Sequence, residues 1–255
     1  MVSPTVFLAV HAKQKEPVLE MWLENIRRLD YPKDRIILYV RANNSTDATI
    51  PMIRDWVGRH GGEYLRVIED YSEIDIGLER MAVHDWSEHR LHIIGKIRER
   101  SCAEAVAAGA DFYYVQDIDN FVLPHTLSKL VSRNLPIVAP ILYNSAPTLY
   151  SNYHSDVDDR GYHLDSVGYV EIHSRRVKGL IDVPVVHCTY LMRADVLPQV
   201  KYTDGSGRFE YVIHSENCRR LGIPQYLDNT EPYGCLTMCE DAAAVMAWMA
   251  GLGYC

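Results

Sequence analysis

The sequence predicts an α/β fold, in which a mostly parallel, twisted, Rossmann-like sheet is flanked by helices in a single domain with two lobes. Three observations lead to this prediction. Apolar runs of strand length alternate with segments of helical periodicity in the first half of the chain. One such run ends directly in two carboxylates, Asp117 and Asp119. The 255 residues, 47% of them hydrophobic, suffice for one full core.

The first half of the chain reads as β-α-β-α, then β-α-β. Strands are predicted at residues 5–10, 35–40 and 64–68, with a further strand from residue 112 into the acidic pair. Helices are predicted at 18–29, 51–57 and 90–108, where Pro17 suits a first helical turn and Gly109 a stop. The polar cluster 43–47 offers a helix N-cap, and residues 69–89 are expected to form an extended loop.

The second half is more irregular. It contains predicted helices at 125–132, 209–222 and 240–248, and predicted strands at 137–140, 183–192 and 224–227. Residues 143–165 form a predicted loop that is rich in tyrosine. Tyrosines at this density suit stacking on a sugar ring, and ordinary packing of a long loop explains them equally well.

Charge and cysteine content narrow the class of protein. The chain has 26 basic and 34 acidic residues, a net charge of −8, and no basic run, which argues against nucleic acid or an anionic membrane as a partner. The apolar run near the N-terminus is too short to span a membrane. Six cysteines without a secretory signal predict free thiols and a cytoplasmic location.

The acidic pair predicts a metal site. Parallel sheets bind ligands outside the carboxyl ends of their strands, and Asp117 and Asp119 occupy such an end. On an extended strand alternate residues point the same way, so both carboxylates can face one point. Two hard oxygen ligands suit Mn²⁺ or Mg²⁺ with a diphosphate. A solvated turn after an edge strand is the alternative.

Other residues are placed where a nucleotide-sugar site needs them. Ala12 follows the first strand, at an edge that can flank a base and ribose, and ordinary surface turns are the alternative there. Lys96 and Arg98 lie in the helix before the acidic pair and can reach a diphosphate, or they belong to a solvated helix face. Glu210 begins a helix and is a candidate general base, or a residue that only complements the helix dipole.

Nine short motifs, spread over nearly the whole chain, together carry a resemblance to a known family. They are YPKDR (31–35), NSTD (44–47), HDWSEHR (84–90), KIR (96–98), DFYYVQDIDN (111–120), IVAP (137–140), YSNY (150–153), VPVVHCTYL (183–191) and YG (233–234). With these motifs the chain resembles the glycosyltransferase domain of the collagen β-galactosyltransferase family, which comprises the procollagen galactosyltransferases and the cerebral endothelial cell adhesion molecule. The motifs stand in family order.

The resemblance implies a GT-A fold, a metal ion and a UDP-hexose donor, with transfer that inverts the anomeric centre. Asp117 and Asp119 then look like the ligands of the metal and diphosphate. By the same resemblance Asn44 and Asp47 belong to the nucleotide edge, and Trp86, Lys96 and Arg98 lie near the donor. His187 is the candidate for a third metal or substrate contact, with a buried core histidine as the alternative. Where the family has Phe-Asp-Asp, this chain has Phe209-Glu210-Tyr211.

The resulting hypothesis is a metal-dependent inverting glycosyltransferase that moves galactose or glucose from a UDP-sugar to a hydroxyl on a protein or glycan acceptor. Residues 1–122 would form the nucleotide-sugar half and residues 123–255 the acceptor half. One alternative is a sugar-phosphate nucleotidyltransferase, although residues 12–17 lack the glycines that such an enzyme needs after its first strand. The other is a non-catalytic glycan-binding or adhesion protein of the same fold.

Overall fold

The structure of the chain is a computed structural model that describes residues 2–74, 87–238 and 241–252. Strands and helices alternate through the first half as predicted. The helices of the described part are α1 (Glu16–Arg27), α2 (Thr49–His60), α3 (Glu88–Ala107), α4 (Thr126–Arg133), α5 (Val167–His173), α6 (Glu210–Arg220) and α7 (Ala242–Gly251). The strands are β1 (Val6–Ala12), β2 (Ile36–Ala42), β3 (Arg66–Asp70), β4 (Phe112–Gln116), β5 (Asn120–Val122), β6 (Ile137–Pro140), β7 (Leu142–Asn144), β8 (Tyr153–His154), β9 (Leu180–Asp182), β10 (Val185–Val186), β11 (Thr189–Arg193), β12 (Gln225–Asp228) and β13 (Gly234–Leu236).

The main sheet joins the two halves of the chain. Its strand order is β3-β2-β1-β4-β11-β6-β12-β9. β1 pairs in parallel with β2 and with β4, so that Val6 lies opposite both Ile36 and Phe112. The pairs β2 with β3 and β6 with β12 are also parallel, whereas β11 and β9 run antiparallel to their neighbours. The mostly parallel sheet of the prediction is confirmed, and the carboxyl ends of β1, β2 and β4 meet at one edge.

The side chains of β1 alternate between two hydrophobic cores. Leu8 packs in the core that contains Trp22 of α1, and Phe7 packs in the opposite core with Tyr113 of β4. All four side chains are fully buried. Period-two alternation on a strand that is covered on both faces produces this division, and each such side chain contributes about 1.5–3 kcal/mol by its burial. The sheet is therefore a rigid platform for the residues that follow β1 and β4.

The segment predicted as one strand over residues 183–192 is two strands in different sheets. β10 pairs with β8, whereas β11 lies between β4 and β6 in the main sheet. Between them Cys188 has a φ of 63°, in the left-handed region, which ends an extended strand. The prediction of a continuous strand was wrong for this reason, and His187 lies at the break.

Short elements and element boundaries also differ from the prediction. α2 begins at Thr49, after Ala48, which makes no side-chain cap, and Oδ1 of Asp47, in the cluster 43–47, accepts from the amide of Thr49 at 3.1 Å. α3 begins at Glu88, inside the expected loop, and the side chain of Ser87 caps it. α5, β8, β9 and β13 were not predicted, since each is short and contains glycine or a polar residue, so that it shows neither a uniform apolar run nor clear periodicity.

The described cysteines are free thiols, as predicted, namely Cys102, Cys188, Cys218 and Cys235. Cys239 and Cys255 lie outside the described residues. Among the helices of residues 2–74, 87–238 and 241–252, none combines the length and the apolar character needed to cross a membrane.

Gly234 lies where two backbones approach closely. β13 pairs with β5, and a Cβ added at Gly234 would lie 2.1 Å from the carbonyl oxygen of Phe121 and 2.8 Å from the Cα of Val122. We expect Gly234→Ala to lower the free energy of unfolding by about 1–3 kcal/mol, because the strands must separate to admit the methyl group. Urea unfolding measures the change.

The matched control is Gly62→Ala, since no atom lies within 4 Å of the Cβ position at Gly62. An equal loss of stability in both variants would show that the close approach at Gly234 is not the cause.

Candidate functional site

A cleft of about 180 Å³ opens at the carboxyl ends of β1 and β4. Its walls come from the ends of β1 and β2, from one face of α3 and from the turn after β4. The lining residues are His11, Ala12, Lys13, Lys15, Asn43, Arg90, Ile93, Ile94, Ile97, Arg98, Asp117, Ile118 and Asp119. Predicted site residues from three separate parts of the sequence, Ala12, Arg98 and the acidic pair, therefore meet in one cleft.

Asp117 and Asp119 lie in the turn between β4 and β5, and not on an extended strand as expected. Their backbones are held by neighbouring elements. The Asp117 amide donates to the Cys188 carbonyl at 3.1 Å, and the Trp22 indole donates to the Asp117 carbonyl at 3.0 Å. The Thr237 amide donates to the Asp119 carbonyl at 2.8 Å. This fixed turn, rather than strand alternation, places both aspartates at the cleft.

Arg98 connects the acidic pair to the predicted base. Its Nη2 donates to both carboxylate oxygens of Asp117 at 3.0 Å, and its Nε donates to Oε1 of Glu210 at 3.3 Å. The Arg98 side chain is only 8% exposed. Its Nη1 is buried and has no hydrogen-bond partner within the described residues. One guanidinium thus pairs with two carboxylates, and its Nη1 remains as a further donor.

Burial and the opposite charge of the partner shift the pKa values of Asp117 and Arg98 in opposite directions. Burial raises the pKa of Asp117 to about 6, against Arg98, which lowers it. Asp119 and Glu210 also raise the pKa of Asp117 by repulsion. Burial works to lower the pKa of Arg98, but the surrounding negative groups, Asp117 first, hold that pKa well above its ordinary value. At neutral pH the cleft therefore contains an ionised Asp117 against a fixed guanidinium.

Glu210 is the first residue of α6 and is only 7% exposed. The partial positive charge of the helix N-terminus and the Nε of Arg98, 3.3 Å from Oε1, both lie beside this carboxylate. Glu210 does not itself line the cleft but meets it through Arg98. The structure thus brings together Glu210, Arg98 and Asp117, which are far apart in the sequence.

Sequence reasoning missed Lys15, and His11, at the end of the first strand, is a further residue of the cleft. The Lys15 ammonium lies 3.3 Å from Oδ2 of Asp119, and both side chains line the cleft. The imidazole of His11 also lines the cleft, and burial lowers its pKa to about 3, so it is neutral. Its Nε2 is buried and has no partner among the described residues. The sequence signal was a polar, basic stretch after a buried strand, which is common on protein surfaces.

Asn44 and Asp47, which were predicted at the nucleotide edge, make hydrogen bonds within the protein instead. The Asn44 side chain bonds to the backbone of Ile74 and to Asn43, and it is Asn43 that lines the cleft. The carboxylate of Asp47 accepts from the amides of Glu16 and Thr49.

Lys96 pairs with Glu99 at 3.0 Å, has a side chain that is 58% exposed and does not line the cleft. On the same helix Arg90 and Arg98 face the cleft instead. Trp86 lies outside the described residues.

His187 is buried, with 1% exposure, and its ring stacks on Tyr211 at 4.6 Å. Burial lowers its pKa well below the usual value, and its Nδ1 lies 2.8 Å from the sulfur of Cys188. Within the described part of the chain, no three His, Cys, Asp or Glu side chains are grouped so that they could hold a metal ion. The structure therefore does not assemble His187 with Asp117 and Asp119 into a three-ligand site.

The sequence profile "Glycosyltransferase family 25, N-terminal domain" matches residues 3–247. Procollagen galactosyltransferase 2 of Homo sapiens is 30% identical over 92% of this chain and 38% of its own length. Inactive glycosyltransferase 25 family member 3 of Mus musculus is 28% identical over 91% of this chain and 40% of its own length. The chain thus spans about two fifths of the length of these relatives.

Solved structures share the fold. TarS of S. aureus in complex with UDP superposes with a TM-score of 0.60 at 12% identity, over 92% of this chain and 60% of that one. The mannosyltransferase PcManGT of Pyrobaculum calidifontis, in complex with GDP-Man and Mn²⁺, gives a TM-score of 0.54 at 17% identity, over 97% of this chain and 60% of that one. Both are glycosyltransferases of the GT-A fold, so the fold prediction is confirmed.

Proposed function

The chain belongs to glycosyltransferase family 25, and from this premise we propose that it is a metal-dependent, inverting glycosyltransferase. Its donor is a UDP-hexose, with galactose or glucose as the sugar, and its acceptor is a hydroxyl group of a protein or a glycan. The relatives named procollagen galactosyltransferase support transfer of a hexose. Fold neighbours bound to UDP, or to GDP-Man with Mn²⁺, support a nucleotide-sugar donor.

The observation that carries the proposal is the charge of the cleft. Among the described residues, four cationic side chains and two carboxylates line it, although the chain as a whole has a net charge of −8. These residues are Lys13, Lys15, Arg90, Arg98, Asp117 and Asp119. A local excess of positive charge at the carboxyl edge of a mostly parallel sheet suits an anionic ligand such as a diphosphate.

The residues present fit a divalent metal ion. Mg²⁺ is commonly bound by one or two carboxylates together with substrate phosphates, and Asp117 and Asp119 provide two carboxylates at the cleft. Within residues 2–74, 87–238 and 241–252 no third protein ligand joins them, and phosphate oxygens of the donor would supply further ligands. Asp117 and Asp119 would hold Mn²⁺ or Mg²⁺. A bound metal would neutralise negative charge on the departing UDP.

The other residues have distinct tasks. Arg98 fixes Asp117 through Nη2, and its buried Nη1 can donate to an oxygen of the donor. Glu210 accepts the proton of the acceptor hydroxyl at a carboxylate oxygen while that hydroxyl oxygen attacks the anomeric carbon. The bond between the anomeric carbon and the UDP oxygen breaks on the opposite face, so that UDP departs with the electron pair and the anomeric centre is inverted.

A screen of UDP-sugars tests this proposal. Release of UDP is measured for each sugar with Mn²⁺ and with a chelator, because hydrolysis reports the donor even when the acceptor is unknown. We expect metal-dependent release from one UDP-hexose. Absence of release from every UDP-hexose, together with absence of Mn²⁺-dependent UDP binding, would refute the proposal.

Asp119→Ala is expected to reduce metal-dependent UDP release by about 10²-fold, because one ligand that stabilises developing charge is removed. The carboxylate is 34% exposed, so the protein is expected to remain folded. Asp195→Ala, which removes an exposed carboxylate that pairs with Arg193 and does not line the cleft, is the control. Rates equal to that of the parent in both variants would remove Asp119 from the mechanism.

A second candidate is a non-catalytic glycan-binding protein. Two observations favour it: the relatives named inactive, and the single acid of Phe209-Glu210-Tyr211 where the family has two. Calorimetry with UDP and Mn²⁺ separates the candidates. A glycan-binding protein that has lost the donor site shows no metal-dependent affinity for UDP, whereas the enzyme does.

A further inference from the structure

Hydrogen bonds join the segment that carries Lys15, residues 14–16, to residues 46–49. The amide of Thr46 donates to Oε1 of Gln14 at 2.6 Å, and Nε2 of Gln14 donates back to the Thr46 hydroxyl at 2.9 Å. The Lys15 amide donates to the hydroxyl of Thr49 at 2.8 Å, and Oε2 of Glu16 accepts from the amide of Ala48 at 3.0 Å. Gln14 has a φ of 53°, a left-handed conformation that these bonds hold in place. The backbone of Lys15 is therefore fixed at the mouth of the cleft.

The side chain of Lys15 extends from this fixed backbone to Asp119. Its ammonium lies 3.3 Å from Oδ2 of Asp119, and the two side chains are 16% and 34% exposed. A positive charge thus lies beside one of the two carboxylates that would hold the metal. When a divalent cation binds that carboxylate, it repels the ammonium, because like charges a few ångströms apart in a partly buried site are unfavourable.

We propose that the Lys15 ammonium exchanges its contact with Asp119 for one with the donor: it pairs with Asp119 while the cleft is without donor, and it binds the donor diphosphate when the metal takes Asp119. This inference rests on the proposed function. Lysine suits the exchange, since its compact ammonium sits on a stem with four rotatable bonds and needs no fixed geometry at its partner. The side chain of Lys15 can rotate to a new partner while the hydrogen bonds of residues 14–16 keep its backbone in place. Lys15 is then a donor-binding residue that also weakens metal binding before the donor arrives.

Lys15→Met separates these two roles, because it keeps the length of the side chain and removes the charge. Titration of Mn²⁺ alone is expected to show about two- to fivefold tighter binding, since the competing ion pair is gone. Titration of UDP at saturating Mn²⁺ is expected to show about tenfold weaker binding, since a charge-assisted contact to the diphosphate is lost. The opposite signs of the two changes are the signature of a shared ammonium.

Lys96→Met is the matched control, because Lys96 pairs with Glu99 and does not line the cleft. We expect no change in either titration. Lys15→Arg keeps the charge and is expected to restore most of the UDP affinity, while Mn²⁺ alone binds as weakly as to the parent.

Either of two results would overturn the inference. One is an unchanged UDP affinity in Lys15→Met, and the other is weaker binding of both Mn²⁺ and UDP in that variant. Failure of the proposed function looks different, because the parent protein itself then shows no Mn²⁺-dependent affinity for UDP. If the parent binds both and Lys15→Met matches it, the inference fails and the proposed function stands.

Discussion

Glu210→Gln is expected to reduce metal-dependent UDP release by about 10²–10⁴-fold while Mn²⁺-dependent UDP binding stays close to that of the parent. The amide of glutamine cannot take the proton of an attacking hydroxyl. Its oxygen can still accept from Nε of Arg98, which lies 3.3 Å from Oε1 in the parent. The expected loss is therefore in turnover, not in folding or donor affinity, and steady-state rates with calorimetry separate the two.

Glu216→Gln is the control for this substitution. Glu216 lies on the same helix but pairs with Arg208 and Arg220, and its side chain is 23% exposed. It is expected to keep the parent rate. Parent-like turnover in Glu210→Gln would exclude Glu210 as the base, and a loss of UDP affinity equal to the loss of rate would assign it a binding role instead.

Arg98→Met is expected to lower the free energy of unfolding by about 3–5 kcal/mol, because it leaves buried carboxylates without their counter-charge. Arg98 contacts Asp117 and Glu210, and both acids are mostly buried. Methionine keeps much of the apolar stem, so loss of charge dominates the effect. Urea unfolding at neutral pH measures the loss.

The pH dependence of the loss identifies its cause. Burial already raises the pKa of Asp117 to about 6, and Arg98 opposes that rise, so its removal lets the pKa rise further. The folded variant then binds more protons than the unfolded chain, and its stability falls as the pH rises through the folded pKa. We expect part of the lost stability to return in acid, below the folded pKa.

Arg100→Met is the matched control on α3. Arg100 is 60% exposed and pairs with Asp70 and Glu104 at the surface. Its replacement is expected to cost less than about 1 kcal/mol. A loss for Arg98→Met that is small, or that does not depend on pH, would contradict the role of Arg98 as the counter-charge of the two acids.

The repeating part of the fold was predictable from the sequence. β1, β2, β4 and β6 and the helices α1, α3 and α4 lie within a few residues of their predicted positions, because each is long or uniformly apolar enough for periodicity to show. The break at Cys188 was not predictable, since residues 183–192 are mostly apolar and nothing in them marks a left-handed residue.

The candidate site was predictable in part. Asp117 and Asp119 were identified by type and by position after a buried strand, and the structure places both at the cleft. The pairing of Arg98 with Glu210, 112 residues apart, could not be read from either residue alone. The same limit applies to Lys15, whose partner Asp119 lies 104 residues further along the chain.

The sequence by itself determined the α/β class, the family and the acidic pair, because these depend on local periodicity and on motifs that are contiguous in the chain. Only the tertiary structure decided which charges meet. It assigned Arg98 to Asp117 and Glu210 and Lys15 to Asp119, while Lys96, two residues from Arg98, faces away from the cleft and pairs with Glu99. The physical reason is that a charge interacts through distance in space, and the packing of α3 and α6 against the sheet sets those distances.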